Sequence, residues 1–456
     1  MAKNLHKPGQ MTTANLLFPH KSLLQERFLQ TDLGELYQAI PFDALATQIP
    51  MPAHSMSGRG RKPWFDIKGA IGLIILKHYL GISDALLIER INTDWSMQMF
   101  CGITLHPAER IADTNLPSYW RGYIGKHLDI AALQQQLAIY WKPYMSETNI
   151  GMQDATCYES RIAFPTDIKL LWQSCNEIYL LLGSLRKQLR LRKSRCNYDK
   201  QRNVYLHYQK SRKKTRRQEK KMRKKLLKFL LRLTETLEQL RTKHKIVLTS
   251  KQNKIVKTVL KVYEQQHQRA YGDNSSIQDR IVSLRKPYVR PIIRGKESKP
   301  VEFGAKVNKL LVDGISFIEH ISFDAFNEST RFTQGVHLQR KLFGKCTHHS
   351  ADAIYATNKN RKYCTKEKIT TNFIPKGKQK LQHIEQSKIM RTQLNKQRST
   401  VLEGSFGNDK NHYLLQKINA RNRDTEVCWI FFGMLTANAS KIAKRIVERS
   451  RQARAA

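Results

Sequence analysis

Residues Val401–Lys410 read VLEGSFGNDK and place an acid, Glu403, seven positions before a base, Lys410. An α-helix has 3.6 residues per turn, so side chains seven positions apart lie on the same face. The stretch therefore predicts a helix that presents Glu403 and Lys410 together. The surrounding residues extend this prediction to one long helix, from His383 to Tyr413.

Two more acids occur in comparable settings. Asp154 follows a strand-like start at Ile150, and Asp352 lies among the small and apolar residues of Ser350–Tyr355. A chain with a formal charge of +43 has little reason to bring carboxylates together unless they hold cations. Because carboxylate oxygens suit Mg²⁺ acting beside phosphate, the three acids point to phosphodiester chemistry.

Other acids compete for the second position. Asp313 precedes Gly314, a pair typical of a hairpin turn, and the turn explains this acid without chemistry. Asp324 is the stronger rival. We assign the position to Asp352 because the small residues around it permit close packing.

Each of the three acids also has a purely structural interpretation. Asp154 and Asp352 could cap turns, and Glu403 could pair with Lys410 or Arg398 on its own helix. Taken singly, each acid favours that interpretation.

Composition indicates the partner. Lys and Arg outnumber Asp and Glu by 80 to 37, and a positive field of this size attracts polyanions. Nucleic acid is the leading candidate, because the longest apolar run, Ala70–Leu76, is too short to span a membrane. We expect no secretory signal, and seven cysteines without a CxxC pair favour a reducing cytoplasm.

The strongest concentration of charge lies between Arg186 and Arg232, a segment that contains 21 Lys or Arg residues and only two acids, Asp199 and Glu219. The segment predicts a clamp for the DNA backbone, although a solvated helix face is the alternative. The residues expected to contact DNA here are Arg192, Lys193, Lys213, Lys214, Arg216 and Arg217.

Apolar seams flank this charged segment. One seam follows Leu171, Cys175, Ile178, Leu182, Leu185 and Leu189, and the other follows Leu226, Leu230, Leu233, Leu237 and Leu240. Their spacing of three and four predicts two helices that pair antiparallel as a coiled-coil hairpin. Another helix, around Ile255–Ala270, is expected to close this insertion.

The N-terminal part reads as helical. Asp66–Leu80 has a dense apolar face, Gly81 interrupts it, and Ser83 is the expected N-cap of a second helix, Ala85–Trp95. This pattern favours a helix-turn-helix that binds DNA, and a compact helical domain without groove contact is the alternative.

The remaining elements are assigned from local patterns. Strands are expected at Ile150–Glu159, Arg280–Arg294, Glu302–Ser316, Ala351–Tyr355 and Thr370–Ile374, with a turn at Gly295–Ser298. Helices are expected at Ser329–Lys345 and Val427–Arg449, and another starts after Thr166, its expected cap.

The chain resembles the DDE transposases of bacterial insertion sequences, in the insertion-sequence-five-like branch. The motifs that carry this resemblance are, in chain order, Arg61–Asp66, Asp154–Leu171, Arg290–Lys296, Glu302–Lys306, Asp352–Tyr355, Asn360–Tyr363, Glu403–Gly407 and Phe432–Ala439. The resemblance implies a ribonuclease-H-like core in which Asp154, Asp352 and Glu403 bind two Mg²⁺ or Mn²⁺ ions.

One motif departs from the family pattern. Many relatives place Tyr and Arg seven and four residues before the catalytic Glu, and Lys seven residues after it. Here those positions hold Lys396, Ser399 and Lys410, so only the lysine matches. Arg398 stands one place away from the expected arginine, and we assign it, with Lys410, to contacts with the DNA end.

We therefore expect an α+β protein with a ribonuclease-H-like, mixed-sheet catalytic core, a helical coiled-coil insertion and an all-helical N-terminal domain. The expected boundaries are a flexible N-terminus at 1–20, a DNA-end-binding domain at 21–145, a catalytic domain at 146–170 and 280–446, the insertion at 171–279, and a basic tail at 447–456.

The expected function is that of a transposase, which cuts and joins DNA as a homodimer or higher multimer on double-stranded terminal inverted repeats and target DNA. We expect it in the cytoplasm of a prokaryote, associated with the nucleoid and without a membrane partner. The alternatives are a catalytically inactive, transposase-derived DNA-binding protein and a nuclease unrelated to transposition.

Overall fold

The computed structural model describes residues 20–52, 63–106, 108–272, 277–293, 301–377 and 381–455. The predicted flexible N-terminus, the motif residues Arg61 and Lys62, and the predicted turn at 295–298 lie outside these ranges, apart from residue 20. The chain divides into two compact units. The first contains Met1–Ser160, Ala305–Ser322 and Phe326–Ala456, and the second contains Arg161–Gly304 and Phe323–Ala325.

The first unit begins with helices. They are α1 (His20–Leu29), α2 (Asp32–Gln38), α3 (Phe42–Ala46), α4 (Ile67–Leu80), α5 (Asp84–Thr93), α6 (Trp95–Phe100), α7 (Leu116–Lys126) and α8 (Ile130–Trp141), and a 3₁₀ turn follows at Lys142–Tyr144. Strand β1 (Ile150–Ser160) comes next, close to its predicted bounds.

The second unit is mostly helical. Its helices are α9 (Asp167–Gln188), α10 (Tyr198–Lys210), α11 (Arg216–Lys243) and α12 (Ser250–Tyr271), and it ends with the short strand β2 (Pro291–Ile293) and the beginning of β3 (Val301–Val312).

The chain then completes the first unit. Its elements are β4 (Ile315–Ser322), a 3₁₀ turn at Glu328–Arg331, α13 (Phe332–Phe343), β5 (His348–Ala351), a 3₁₀ turn at Ala353–Tyr355, α14 (Asn358–Lys366), β6 (Thr370–Thr371), α15 (Leu381–Gln397), a π-helical segment at Arg398–Leu402, α16 (Glu403–His412), β7 (Lys417–Ile418) and α17 (Arg423–Ala455).

Local sequence sets the ends of the N-terminal helices. The Asp66 side chain caps α4, and Gly81 ends this helix with a φ of +67°, which glycine adopts without steric cost. Ser83 caps α5, as predicted. The helix predicted to reach Trp95 ends two residues earlier, because Asp94 caps the next helix instead. The groove-binding role of α5 stays a prediction.

Helix α4 is almost wholly buried. Among the described residues, no single helix has the length and apolar composition to span a membrane; α4 and α5 have them only as a pair, and they are bent by 110°.

The sheet of the described residues has β1 at its centre. β1 pairs with β3 on one side and with β5 on the other; β4 extends the sheet beyond β3 and β6 extends it beyond β5. β1, β5 and β6 are parallel, whereas β3 and β4 form an antiparallel hairpin. Asp313 and Gly314 make its turn with φ values of +48° and +75°, which confirms the predicted hairpin.

Four strand predictions are wrong in extent. The strand expected at Glu302–Ser316 is divided by the Asp313–Gly314 turn into β3 and the start of β4, and the strand expected at Thr370–Ile374 ends at Thr371. The strand expected at Arg280–Arg294 is reduced to the three residues of β2, because Pro287 and Pro291 lack the amide hydrogen that a strand ladder needs. The strand expected at Ala351–Tyr355 instead ends at Ala351, so Asp352 follows its last residue.

Side-chain amides cover the outer edge of β4. The Gln134 amide exchanges two hydrogen bonds with the backbone of Ile318, at 2.6 and 3.1 Å. The Asn438 amide does the same with Ser316, at 2.9 and 2.7 Å. These bonds satisfy an edge that would otherwise be open to pairing, and they join α8 and α17 to the sheet. The N-terminal helices and the sheet therefore share one compact unit.

Both predicted leucine seams are buried in one core of the second unit. Their direction was predicted wrongly, because α9 and α11 run parallel. Asp167, at the start of α9, binds Arg223 near the start of α11 at 3.1 Å. Cys175, about two turns further along α9, approaches the carbonyl of Leu226, about one turn further along α11.

Helix α10 explains the parallel arrangement. Its Tyr198 stacks on Tyr179 with ring centroids 3.8 Å apart, and its Tyr205 stacks on Trp172 at 4.8 Å. α10 therefore runs back along α9 before α11 begins. No helix was predicted between the two leucine seams, so the extra reversal of the chain was missed.

Asp167 joins the helices of the second unit. Its buried carboxylate binds Arg223, Arg269 and Arg280 at 2.9 to 3.1 Å and accepts a hydrogen bond from Gln266 at 3.0 Å. Thr166 caps α9 as predicted. Asp167 is thus an ion-pair centre as well as an acid near a helix N-terminus.

Candidate active site

One face of β1 meets the long helix that carries Glu403. Alternate strand residues point to the same face of a sheet, and here they are Met152, Asp154, Thr156 and Tyr158. Met152 packs in an apolar cluster with Leu311, Leu402 and Phe406. The next three residues along this face make polar contacts with Arg398, Lys410 and Asp409 respectively.

The long helix contains a five-residue π-helical segment, Arg398–Leu402, immediately before Glu403. In a π-helix the hydrogen bonds span five residues, so Arg398 lies one turn before Glu403 although it is five positions away. Segments of this kind are rare and often occur at functional sites.

Parallel pairing brings Asp352 beside Asp154. Gln153 is in register with Ala351, so the residue that follows each of them is one of the predicted acids. The Asn372 amide holds Ala351 with two hydrogen bonds, of 2.8 and 3.0 Å, where the short β6 has ended. The Asp352 carboxylate then accepts a hydrogen bond from the Ala353 amide at 2.8 Å and starts a 3₁₀ turn.

The three predicted acids converge on the guanidinium group of Arg398. Its Nη1 lies 3.4 Å from the Asp154 carboxylate and 4.0 Å from that of Glu403, and its Nη2 lies 3.8 Å from that of Asp352. We call Asp154, Asp352 and Glu403 the carboxylate site. The sequence predicted that these three acids form one site, but it did not predict that they surround an arginine.

The members of the carboxylate site differ in exposure. The side chain of Asp154 is 18% exposed, whereas those of Asp352 and Glu403 are 51% and 58% exposed. Burial raises the pKa of Asp154 to about 6, although the Ala155 amide and Arg398 oppose this rise. Asp154 is therefore the inner, rigid acid, and the other two face solvent.

A fourth carboxylate, Glu328, adds to the negative potential at Asp154. Glu328 lies on the 3₁₀ turn after β4 and binds Lys306 at 2.7 Å, so its charge is already paired. The Tyr355 hydroxyl lies nearby and donates to Asn308 at 2.8 Å. Sequence reading assigned no role to Glu328, which lacks a distinctive local pattern.

Lys410 lies on α16, seven positions after Glu403. Its Nζ lies 3.1 Å from the Thr156 hydroxyl, two residues from Asp154 on the same face of β1. It also lies over the ring of Tyr158, 5.9 Å from the centroid. The lysine therefore borders the carboxylate site.

A buried charge pair anchors the same helix. Lys309 on β3 is fully buried, and its Nζ binds Asp409 at 2.6 Å and the Ser405 hydroxyl at 2.9 Å. The Tyr158 hydroxyl donates to the same Asp409 carboxylate at 2.7 Å. These bonds fix the rotation of α16, and hence the direction of Glu403. No periodic pattern identified Lys309 beforehand.

The donor set of the carboxylate site consists of oxygen atoms alone, which suits Mg²⁺ or Mn²⁺. As they stand, no three His, Cys, Asp or Glu side chains in the described ranges are close enough together to hold a metal ion. The carboxylates are spaced around a guanidinium group instead. The oxygen ligands of these residues therefore suit divalent cations, but in this structure the space between the carboxylates is occupied by the Arg398 side chain.

The rival acids have other partners. Asp324 pairs with Arg290 at 3.7 Å and belongs to the second unit. Asp313, in the hairpin turn, binds Arg445 at 2.8 Å and the Ser146 amide at 3.0 Å.

The predicted DNA-binding residues of the insertion are all exposed, but they form two groups. Arg192 and Lys193 follow the end of α9, whereas Lys213, Lys214, Arg216 and Arg217 surround the start of α11. Because α9 and α11 are parallel, the groups lie toward opposite ends of α9, roughly 30 Å apart at 1.5 Å per residue.

Residues 22–122 match the family model described as a transposase domain (DUF772). No curated protein and no solved structure matches the chain. The matched residues run from α1 to α7 and end before Asp154. The match supports a transposase, a class of protein that has DNA as its substrate.

Proposed function

We propose that this protein is a DDE transposase of an insertion sequence, in the insertion-sequence-five-like branch, which cleaves and joins DNA at terminal inverted repeats. The observation that carries the proposal is the convergence of Asp154, Asp352 and Glu403, which are widely separated in sequence, on one cationic group. A random set of acids in a chain with formal charge +43 has no reason to meet in this way.

The fold is consistent with this proposal. The inner acid, Asp154, lies on the central strand of a mixed sheet, the second acid follows the neighbouring parallel strand, and the third lies on a packed helix. This arrangement supports a ribonuclease-H-like core. It also combines one rigid acid with two more accessible ones.

The carboxylate site would hold two Mg²⁺ or Mn²⁺ ions. Bound there, the ions supply activation of the attacking oxygen and stabilisation of the leaving oxygen at phosphorus. Asp154, Asp352 and Glu403 would act as ligands, while Lys410 beside the site and Arg398 between the acids are cations for the DNA phosphates. No side chain is required as a nucleophile.

The second unit supplies a surface for the DNA backbone. Its basic groups at the two ends of α9 are roughly 30 Å apart, close to one turn of B-form DNA, about 34 Å. Exposed basic side chains of α10, including Lys200, Arg202 and Lys210, lie between these two groups in the sequence. We propose that this surface follows the backbone of one element end, and that the protein works as a homodimer or higher multimer that pairs two ends.

The test is a cleavage and joining assay. Purified protein is incubated with Mg²⁺ or Mn²⁺ and labelled duplexes made from the DNA on either side of the coding sequence. We expect nicking and transfer of the 3′ end, both lost in Asp154→Asn. Binding without either reaction would favour the inactive, DNA-binding alternative, and cleavage without joining would favour an unrelated nuclease.

A further inference from the structure

Arg398 lies between the three acids of the carboxylate site. Its guanidinium group is within 4.0 Å of all three carboxylates of the carboxylate site. The side chain is only 18% exposed, so it is an internal group rather than a solvated surface arginine. The π-helical segment Arg398–Leu402 sets its direction toward the site.

Their like charges prevent Arg398 and a divalent cation from occupying the carboxylate site together. A divalent cation on Asp154 would share carboxylate oxygens with Arg398 and would lie a few ångströms from a positive charge. Like charges at such distances in a partly buried site repel strongly. A bound metal and the inward position of Arg398 therefore oppose each other.

The hydrogen-bonding state of Arg398 is incomplete. Its contact with Asp154 is long, at 3.4 Å, those with Asp352 and Glu403 are longer, and its buried Nε has no hydrogen-bond partner among the described residues. A phosphate group can accept two parallel hydrogen bonds from a guanidinium group, which is a stronger geometry. A DNA phosphate at the mouth of the site thus offers Arg398 a better partner.

We propose that Arg398 is the resident cation of the carboxylate site in the DNA-free protein, and that a DNA phosphate draws it away before divalent cations bind. This inference rests on the proposed function. It assigns Arg398 two positions and makes the metal affinity of the site depend on DNA. It also accounts for carboxylates spaced around a guanidinium group rather than around a metal ion.

The experiment measures Mn²⁺ binding by electron paramagnetic resonance on the full chain, with and without an element-end duplex. The variants are Arg398→Ala, Arg398→Lys and the control Arg391→Ala, which removes the same charge from α15 of the same helical stretch. Asp154→Asn identifies the Mn²⁺ that is bound at the carboxylate site. Circular dichroism establishes that each variant is folded.

Without DNA, we expect Arg398→Ala to bind Mn²⁺ about tenfold more tightly than the unmodified protein, and Arg391→Ala to bind within about twofold of it. DNA should strengthen Mn²⁺ binding to the unmodified protein and have less effect on Arg398→Ala. Arg398→Lys keeps the charge and should stay close to the unmodified protein.

Two outcomes separate this inference from the proposed function. Binding that depends on Asp154 but is equal in Arg398→Ala and the unmodified protein would overturn the role of Arg398 alone. Binding that is unaffected by Asp154→Asn would overturn the metal site itself, and the proposed function with it.

Discussion

Removing one partner of the buried Lys309–Asp409 pair should destabilise the first unit severely. Lys309 is fully buried, and the pair is bound at 2.6 Å with the Tyr158 and Ser405 hydroxyl groups around it. Burial lowers the pKa of Lys309, and Asp409 counteracts this effect, so each charge depends on the other.

The magnitude follows from the single and double variants. Lys309→Met leaves Asp409 buried without its cation, and Asp409→Leu leaves Lys309 without its anion. Each should lower the free energy of unfolding by about 3–5 kcal/mol, a large share of the roughly 5–15 kcal/mol of a typical domain. The double variant removes both charges and should be more stable than either single one.

The assay is urea denaturation followed by tryptophan fluorescence, and Mn²⁺ binding is measured on each folded variant. The control is Glu238→Ala, which breaks an exposed pair with Arg241 on α11 and should cost at most about 1 kcal/mol. The reasoning is refuted if either Lys309 or Asp409 can be replaced at a similarly small cost, or if the two losses simply add.

Four further predictions test the site, the charge surface and the buried polar groups. Asp154→Ala, Asp352→Ala or Glu403→Ala should abolish cleavage and joining, with little change in DNA binding measured by gel shift. The control Asp324→Ala should retain activity. If Asp324 were essential and Asp352 dispensable, the assignment of the second acid would be wrong. Changing Arg192, Lys193, Lys213, Lys214, Arg216 and Arg217 to Gln should weaken binding to unrelated DNA and reduce its salt slope by up to about 5, at about 0.9 per lost phosphate contact, and an unchanged slope would argue against the clamp. Deleting the whole basic segment, Arg192–Lys225, is a poorer test, because Tyr205 and Met222 within it belong to the core of the second unit. Asp167→Asn should lower the stability of the second unit by about 3 kcal/mol in limited proteolysis, since it strips three arginines of their carboxylate. Burial lowers the pKa of both His78 and His349 to about 3, whereas the pKa of a histidine in the unfolded chain is about 6.5. Stability is therefore lost as the pH falls below about 6.5, by up to about 1.4 kcal/mol per histidine for each pH unit. Urea curves at pH 7.5 and 5.5 should differ less for His78→Gln and His349→Gln than for the unmodified protein.

The sequence by itself determined features that depend on neighbouring residues. The caps at Ser83 and Thr166 and the turn at Asp313 were predictable, because each involves hydrogen bonds or φ angles within a few positions. The leucine seams were predictable as well, since burial on one face repeats with the helical period. The acids of the carboxylate site were recognised through the ordered motifs around them rather than through any one spacing.

The tertiary structure alone decided which of these elements meet, and in which direction. A seam is equally buried in a parallel or an antiparallel pair, so only the return of the chain along α10 set the parallel packing of α9 and α11. Arg398 reaches all three acids because a π-helical turn and a central strand come together. Lys309 and Asp409 pair across the sheet and the helix, and a single buried lysine has no period in the sequence that would reveal it. Such contacts join residues that are distant along the chain, and they exist only once packing has placed their backbones side by side.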